Sequence, residues 1–239
     1  PLWLALLFGG LLAALIAFLI GWPVLRLRGD YLAIATLGFS EIIRILITNA
    51  QSWTNGALGI KDIPALNDVR YIFIATAITF LFVTCLINSS YGRAFKAIRE
   101  DEIAAEAMGV GLFKHKCMAF MLSAFFAGIG GGLYATLLGT VDPKNFLFTL
   151  TYNFLLIIVL GGMGSITGSM LGSIIVTGGL EYLRVFDEPL ELFGMAIPLF
   201  RPGFRMVMFS VLLMACVLFW RKGIMGTNEF TWDKFIAFC

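Results

Sequence analysis

Charge is scarce in this sequence. Only 13% of its 239 residues are Asp, Glu, Lys or Arg, where a soluble domain has about a quarter. Meanwhile 59% are hydrophobic and mean hydropathy is +0.92, which excludes an ordinary water-soluble domain and marks an integral membrane protein. No long basic run accompanies the net charge of +2, so nucleic acid is not an expected partner. There is no Gly-Lys dipeptide, hence no Walker loop to cradle a nucleotide phosphate. The single histidine, His115, sits between Lys114 and Lys116, and no His/Glu or Ser/His set offers an acid-base pair. Cys85, Cys117, Cys216 and Cys239 show neither C-x-x-C nor Cys/His spacing, so they are expected to be small apolar packing residues rather than disulfide or metal ligands. No catalytic residue, metal or cofactor is expected on this chain.

Long apolar runs are abundant. A helix needs roughly 20 mainly apolar residues to cross about 30 Å of hydrocarbon, and seven stretches qualify: Leu2 to Ile20, Tyr31 to Asn49, Tyr71 to Asn88, Cys117 to Gly139, Phe146 to Gly162, Ser165 to Leu183 and Phe204 to Trp220. The expected fold is an all-α polytopic membrane protein, a single transmembrane domain over residues 1–239. The first stretch reads as a spanning helix rather than a signal peptide, so the natural N-terminus is expected to lie upstream. Alternate connections carry Arg26, Arg28, Arg93, Lys96, Arg99, Lys114, Lys116, Arg221, Lys222 and Lys234, against Lys61, Arg70, Lys144, Arg184, Arg201 and Arg205 on the other side. The positive-inside rule therefore places residues 90–116 and the C-terminus in the cytoplasm, with the first helix running outside to inside.

Residues 90–116, SYGRAFKAIREDEIAAEAMGVGLFKHK, form the one long polar island. Ile98, Ala105, Met108 and Leu112 recur at helical spacing, with Arg99, Glu102 and Glu106 off that face, which predicts an amphipathic helix outside the membrane. Gly109-Val110-Gly111 ends it and returns the chain to the bilayer. Its acidic residues argue against a helix lying on lipid headgroups, which favours basic polar faces.

Within the second apolar stretch, Glu41 and Arg44 are three residues apart on one helix face. Charges in hydrocarbon are costly unless paired or wet, so the two form either a structural ion pair or part of a polar translocation path. Ala50 to Arg70, with turn signals at Asn55-Gly56 and Pro64, is an external connection, either plainly solvated or a docking surface. Ala124, Gly128, Gly132 and Thr136 recur at fours, and Gly164, Gly168 and Gly172 repeat the device. Such small-residue stripes let helices approach closely, and glycine clusters also permit unwound backbone that lines a cavity. Val185 to Gly203, with its acidic and proline residues, reads as an external loop with room for a short re-entrant or surface helix.

Three blocks, RLRGDYLAIATLGFSEIIRI (Arg26 to Ile45), GRAFKAIREDEIAAEAMGVGLFKHKCMAF (Gly92 to Phe120) and GGMGSITGSMLG (Gly161 to Gly172), resemble the LivM-type membrane permease of high-affinity branched-chain amino acid ABC importers. The resemblance implies half of a translocation path in the bacterial inner membrane, working with a second related permease, two cytoplasmic ATPase subunits and an external substrate-binding protein. It also implies that the island docks into a groove on an ATPase, with Ile98, Glu102, Ala104, Ala105, Glu106, Met108 and Gly109 as the coupling residues. The wider importer motif, Glu-Ala-Ala, three residues, then Gly, is matched here by Glu102 to Gly109, one residue longer and with Ile103 for the first Ala. Urea and short-amide permeases are similar, so the substrate stays open. A seven-helix receptor fits the segment count, but Phe204 to Trp220 holds no lysine for a retinal Schiff base.

Overall fold

The computed structural model describes residues 2–27, 29–64, 68–183, 191–192, 195–196, 210–211, 214, 218 and 223–226. They are almost entirely helical, apart from an antiparallel pair of two-residue strands, β1 (Glu191–Leu192) and β2 (Met195–Ala196). The fold is all-α. The chain comprises two compact units, Pro1–Phe148 and Thr149–Cys239.

Four helices of the first unit are long and apolar enough to cross a membrane: α1 (Leu2–Val24), α2 (Asp30–Asn49), α4 (Arg70–Asn88) and α7 (Leu112–Leu138). Between them lie α3 (Gln51–Thr54), α5 (Ser90–Glu100) and α6 (Glu102–Ala107). α1 is hydrophobic on every side, as a spanning helix must be where lipid is the solvent. The outward-facing Leu4, Leu7, Phe8, Leu12 and Leu19 are the residues such a solvent covers. The core joins three of the four helices: Leu6 of α1, Ala75 of α4 and Leu133 of α7 pack together, with Leu2, Ile72 and Ile129 around them.

α1 and α7 pack at close range because glycine lets them. A Cβ added at Gly128 would lie 2.8 Å from the Ala13 Cβ and 2.9 Å from the Gly9 carbonyl oxygen, and one at Gly132 would lie 2.7 Å from Leu6 Cδ2. Side chains at these positions would force the helices apart. Ala124 and Thr136 lie half-buried on the same helix.

Two tertiary contacts define the ends of the four-helix layer. Ile60 and Val141 exchange backbone hydrogen bonds of 3.0 and 2.8 Å, and Ile63 N donates to the Gly139 carbonyl at 3.0 Å. The α2–α4 connection and the segment after α7 thus share one end. At the opposite end, Leu25 and Arg26 line one cleft with Glu102, Glu106 and Phe113. The helices therefore alternate direction. The α2–α4 connection is more than a solvated loop, since its Asn55 (φ 59°) closes α3 and it pairs with the chain after α7.

In the second unit, α8 (Phe148–Gly161) and α9 (Ile166–Leu183) enclose Leu160 and Val176, packed against Leu156, Ile157 and Leu180. α8 has 14 residues, about 21 Å at 1.5 Å per residue, which is shorter than a hydrocarbon core. The stretch Phe146 to Gly162 is thus a shorter helix than its hydropathy implied. Most of Phe204 to Trp220 and of Val185 to Gly203 lies outside the described residues.

Gly164, expected on a packing stripe with Gly168 and Gly172, instead sits in the α8–α9 turn at φ 111°, ahead of Ser165, whose buried hydroxyl accepts from Gly168 N at 3.0 Å. Gly172 packs on the Ile157 carbonyl oxygen, 2.7 Å from where a Cβ would stand, and Gly168 on Gly161. Ile224 N and Met225 N donate to the Leu160 and Gly161 carbonyls at 2.8 and 3.1 Å. The α8–α9 turn and residues 223–226 are therefore at the same end of this unit.

Candidate functional site

The polar island folds as two helices rather than one. At its start, Ser89 caps α5, its hydroxyl accepting from Gly92 N at 3.4 Å. α5 turns back so tightly on α4 that a Cβ at Gly92 would collide with the Ile87 backbone. α5 ends at Asp101, whose backbone is extended (φ −155°, ψ 113°). The Asp101 carboxylate accepts from Ile103 N at 2.8 Å and Ala104 N at 3.1 Å, satisfying the free donors that open α6. α6 closes with Gly109 at φ 85°: Gly109 N donates to the Glu106 carbonyl at 2.9 Å and Val110 N to that of Ala105 at 3.0 Å. Glycine is the residue that this left-handed stop favours.

The break at Asp101 corrects the expectation of one continuous amphipathic face. Ile98 is half-buried on α5, Ala105 is 5% exposed on α6, Met108 is 84% exposed after it, and Leu112 already opens α7. α7 begins five residues before the apolar stretch at Cys117, so that Lys114, His115 and Lys116 belong to its first turns. Among the proposed coupling residues, Ala105 is enclosed while Ala104, Glu106, Met108 and Gly109 face outward and Glu102 is partly covered. Ile103, 75% exposed, joins Met108 as an outward apolar residue that periodicity did not single out.

Lys116 Nζ donates to Glu102 Oε1 at 2.6 Å, tying the first turn of α6 to α7. Lys116 is 18% and Glu102 42% exposed. Beside this latch, the His115 ring lies 6.4 Å from that of Tyr91 and 6.1 Å from that of Phe95, and its Nδ1 is 2.8 Å from the Gly111 carbonyl. A cleft of about 370 Å³ between α5 and α7 is lined by Phe95, Ile98, Arg99, Glu102, His115 and Lys116. The island is thus a compact knob attached at three points: the Gly92 elbow, the Lys116–Glu102 pair and the His115 ring contacts. Contacts across a chain reversal have no periodic signature, so the latch was invisible in the sequence. The Asp101 break had one, an Asp followed by a run of helix formers.

On α2, Arg44 Nε donates to both Glu41 carboxylate oxygens at 3.0 Å, and its Nη2 also bonds Oε1. The pair leaves Glu41 43% and Arg44 25% exposed. Thr36, Ser40, Arg44 and Thr48 follow one another at fours along this helix, the hydroxyls of Thr36, Ser40 and Thr48 donating to α2 carbonyls. No residue of α2 is buried, so this polar stripe is open to whatever lies beside the helix.

Comparison with known proteins accords with this geometry. The family described as branched-chain amino acid transport system / permease component matches residues 1–217. The high-affinity branched-chain amino acid transport system permease protein LivM of Escherichia coli (strain K12) is 39% identical over 220 residues, covering 78% of this chain and 52% of that protein. The guanosine ABC transporter permease protein NupQ of Bacillus subtilis (strain 168) is 26% identical, covering 88% of this chain and 70% of its own. The permease protein LivH of E. coli (strain K12) is 27% identical, with 73% and 63% covered. The chain spans about half the length of the LivM of E. coli. No solved structure matches.

Proposed function

Because the chain belongs to the family of branched-chain amino acid transport system permease components, we propose that it forms half of the path of an ABC importer for hydrophobic amino acids and couples that path to ATP hydrolysis on other subunits. The observation that carries this reading is the knob: a polar two-helix excursion between membrane-crossing helices, presenting exposed Ile103 and Met108 and pinned to α7 by Lys116–Glu102. A surface that is apolar at its tip and rigid at its base suits docking to an ATPase and passing on its movement. The knob faces the cytoplasm, as its basic flanks direct. A second, related permease, two ATPases and an external binding protein complete the assembly.

The stripe Thr36, Ser40, Glu41, Arg44 and Thr48 on α2 lines the path or the seam with the second permease. A self-neutralised pair set among hydroxyls keeps its cost low in either place. The guanosine permease among the relatives makes nucleosides a competing cargo. Binding-protein-dependent uptake of labelled leucine, urea and guanosine into vesicles holding the whole complex tests the substrate. Leucine is expected to be carried, and uptake of guanosine or urea alone would refute the amino acid reading. Loss of ATPase association in Met108→Glu, with the membrane subunits still assembled, tests the docking surface.

A further inference from the structure

An apolar groove of about 600 Å³ runs between α1 and α7, walled by Leu11 and Phe18 on one side and by Cys117, Met121 and Phe125 on the other. It ends at Phe113 and Lys114, and these two residues also open a second, polar cleft of about 650 Å³ that contains Arg26 and Glu106. Along α7 the groove extends from Phe113 to Phe125, about 18 Å at 1.5 Å per residue, close to one leaflet of a core about 30 Å thick.

The polar end is lined by Arg26, Lys114 and Lys116 together with Glu102 and Glu106. The Arg26 guanidinium lies 5.5 Å from the Trp22 ring centroid and 5.6 Å from that of Phe113, and the two rings meet edge to face at 5.4 Å. Cation–π contacts hold the guanidinium in place. Lys114 adds a second cation at the junction of groove and cleft. Lys116 is paired with Glu102, so among the described residues that line the cleft the remaining charged groups are Arg26, Lys114 and Glu106.

We propose that this groove and the cleft that adjoins it at Phe113 and Lys114 together bind one glycerophospholipid with an ethanolamine headgroup. An acyl chain lies between α1 and α7, the phosphodiester rests on Arg26 and Lys114, and the primary ammonium donates to Glu106. Basic pockets between helices at a membrane surface take lipid phosphates, and the carboxylate beside them selects a zwitterionic headgroup over a purely anionic one. The site requires only that α1 and α7 cross a membrane, so it stands or falls separately from the transport reading.

Native mass spectrometry of the complete detergent-purified complex, offered phosphatidylethanolamine, phosphatidylglycerol and phosphatidylcholine in turn, tests the site. Preferential retention of phosphatidylethanolamine is expected, reduced roughly fivefold by Lys114→Gln, the effect of losing one basic contact at a lipid surface. Met121→Trp, which fills the groove, is expected to reduce it as well. Equal retention of the three lipids, or retention unchanged in both variants, would overturn the proposal. A photo-crosslinker at position 121 in the otherwise unaltered complex gives an independent readout. A lipid adduct supports the site, and a protein adduct shows that a partner helix fills the groove instead.

Discussion

Replacing Lys116 by methionine keeps most of the apolar stem and removes the cation that ties α6 to α7. The lost contact is a 2.6 Å charge-assisted hydrogen bond between groups 18% and 42% exposed. Because both ends are partly wet and screened, the pair is worth about 0.5–1 kcal/mol rather than the larger figure for a buried pair. That shifts the balance between a latched and a released knob by roughly two- to fivefold. The chain should still insert and assemble, since Lys116 contributes nothing to the α1–α4–α7 core. Substrate carried per ATP hydrolysed, measured in proteoliposomes of the whole complex, should fall by about the same two- to fivefold factor. The double exchange Lys116→Glu with Glu102→Lys should recover most of it, and Lys96→Met, at an exposed α5 position, should leave it unchanged. If Lys116→Met transports as well per ATP as the parent, or the exchange performs no better than either single variant, the latch does not carry the coupling.

Gly128→Leu is expected to destabilise the protein by about 1–3 kcal/mol through overpacking against Gly9, Gly10 and Ala13, seen as earlier heat-induced aggregation; an unchanged midpoint would place the α1–α7 seam elsewhere. Asp101→Ala removes two N-terminal hydrogen bonds of α6 and should weaken that helix by about 1 kcal/mol, read as faster amide exchange over residues 102–108 with α7 unaffected. For Glu41 and Arg44, single neutralisations should depress uptake; recovery in the charge exchange identifies a structural pair, and failure to recover in an assembled complex identifies a role in the path. Gly109→Ala, forced to φ 85°, should cost roughly 1–2 kcal/mol of local stability and reduce copurification of the ATPase subunits.

The amino-acid sequence alone determined the class of molecule, the long apolar helices α1, α2, α4 and α7 and the long polar island between α4 and α7. Those properties are sums over some 20 neighbouring residues of apolar area and charge, and partitioning into lipid depends on little else. Tertiary structure decided what such sums cannot reach. It split the island at Asp101, so that Ala105 turned inward while Ile103 and Met108 turned out. It joined Lys116 to Glu102 across the reversal at Gly109, and Ile60 to Val141 across the four helices α4 to α7. It showed that the Gly128 stripe meets α1, and it moved Gly164 from a packing face into a turn. A stripe of small residues permits a close approach without naming the helix that makes it, and an ion pair across a turn depends on where the backbone reverses. Both follow from the path of the chain in three dimensions, which local composition does not encode.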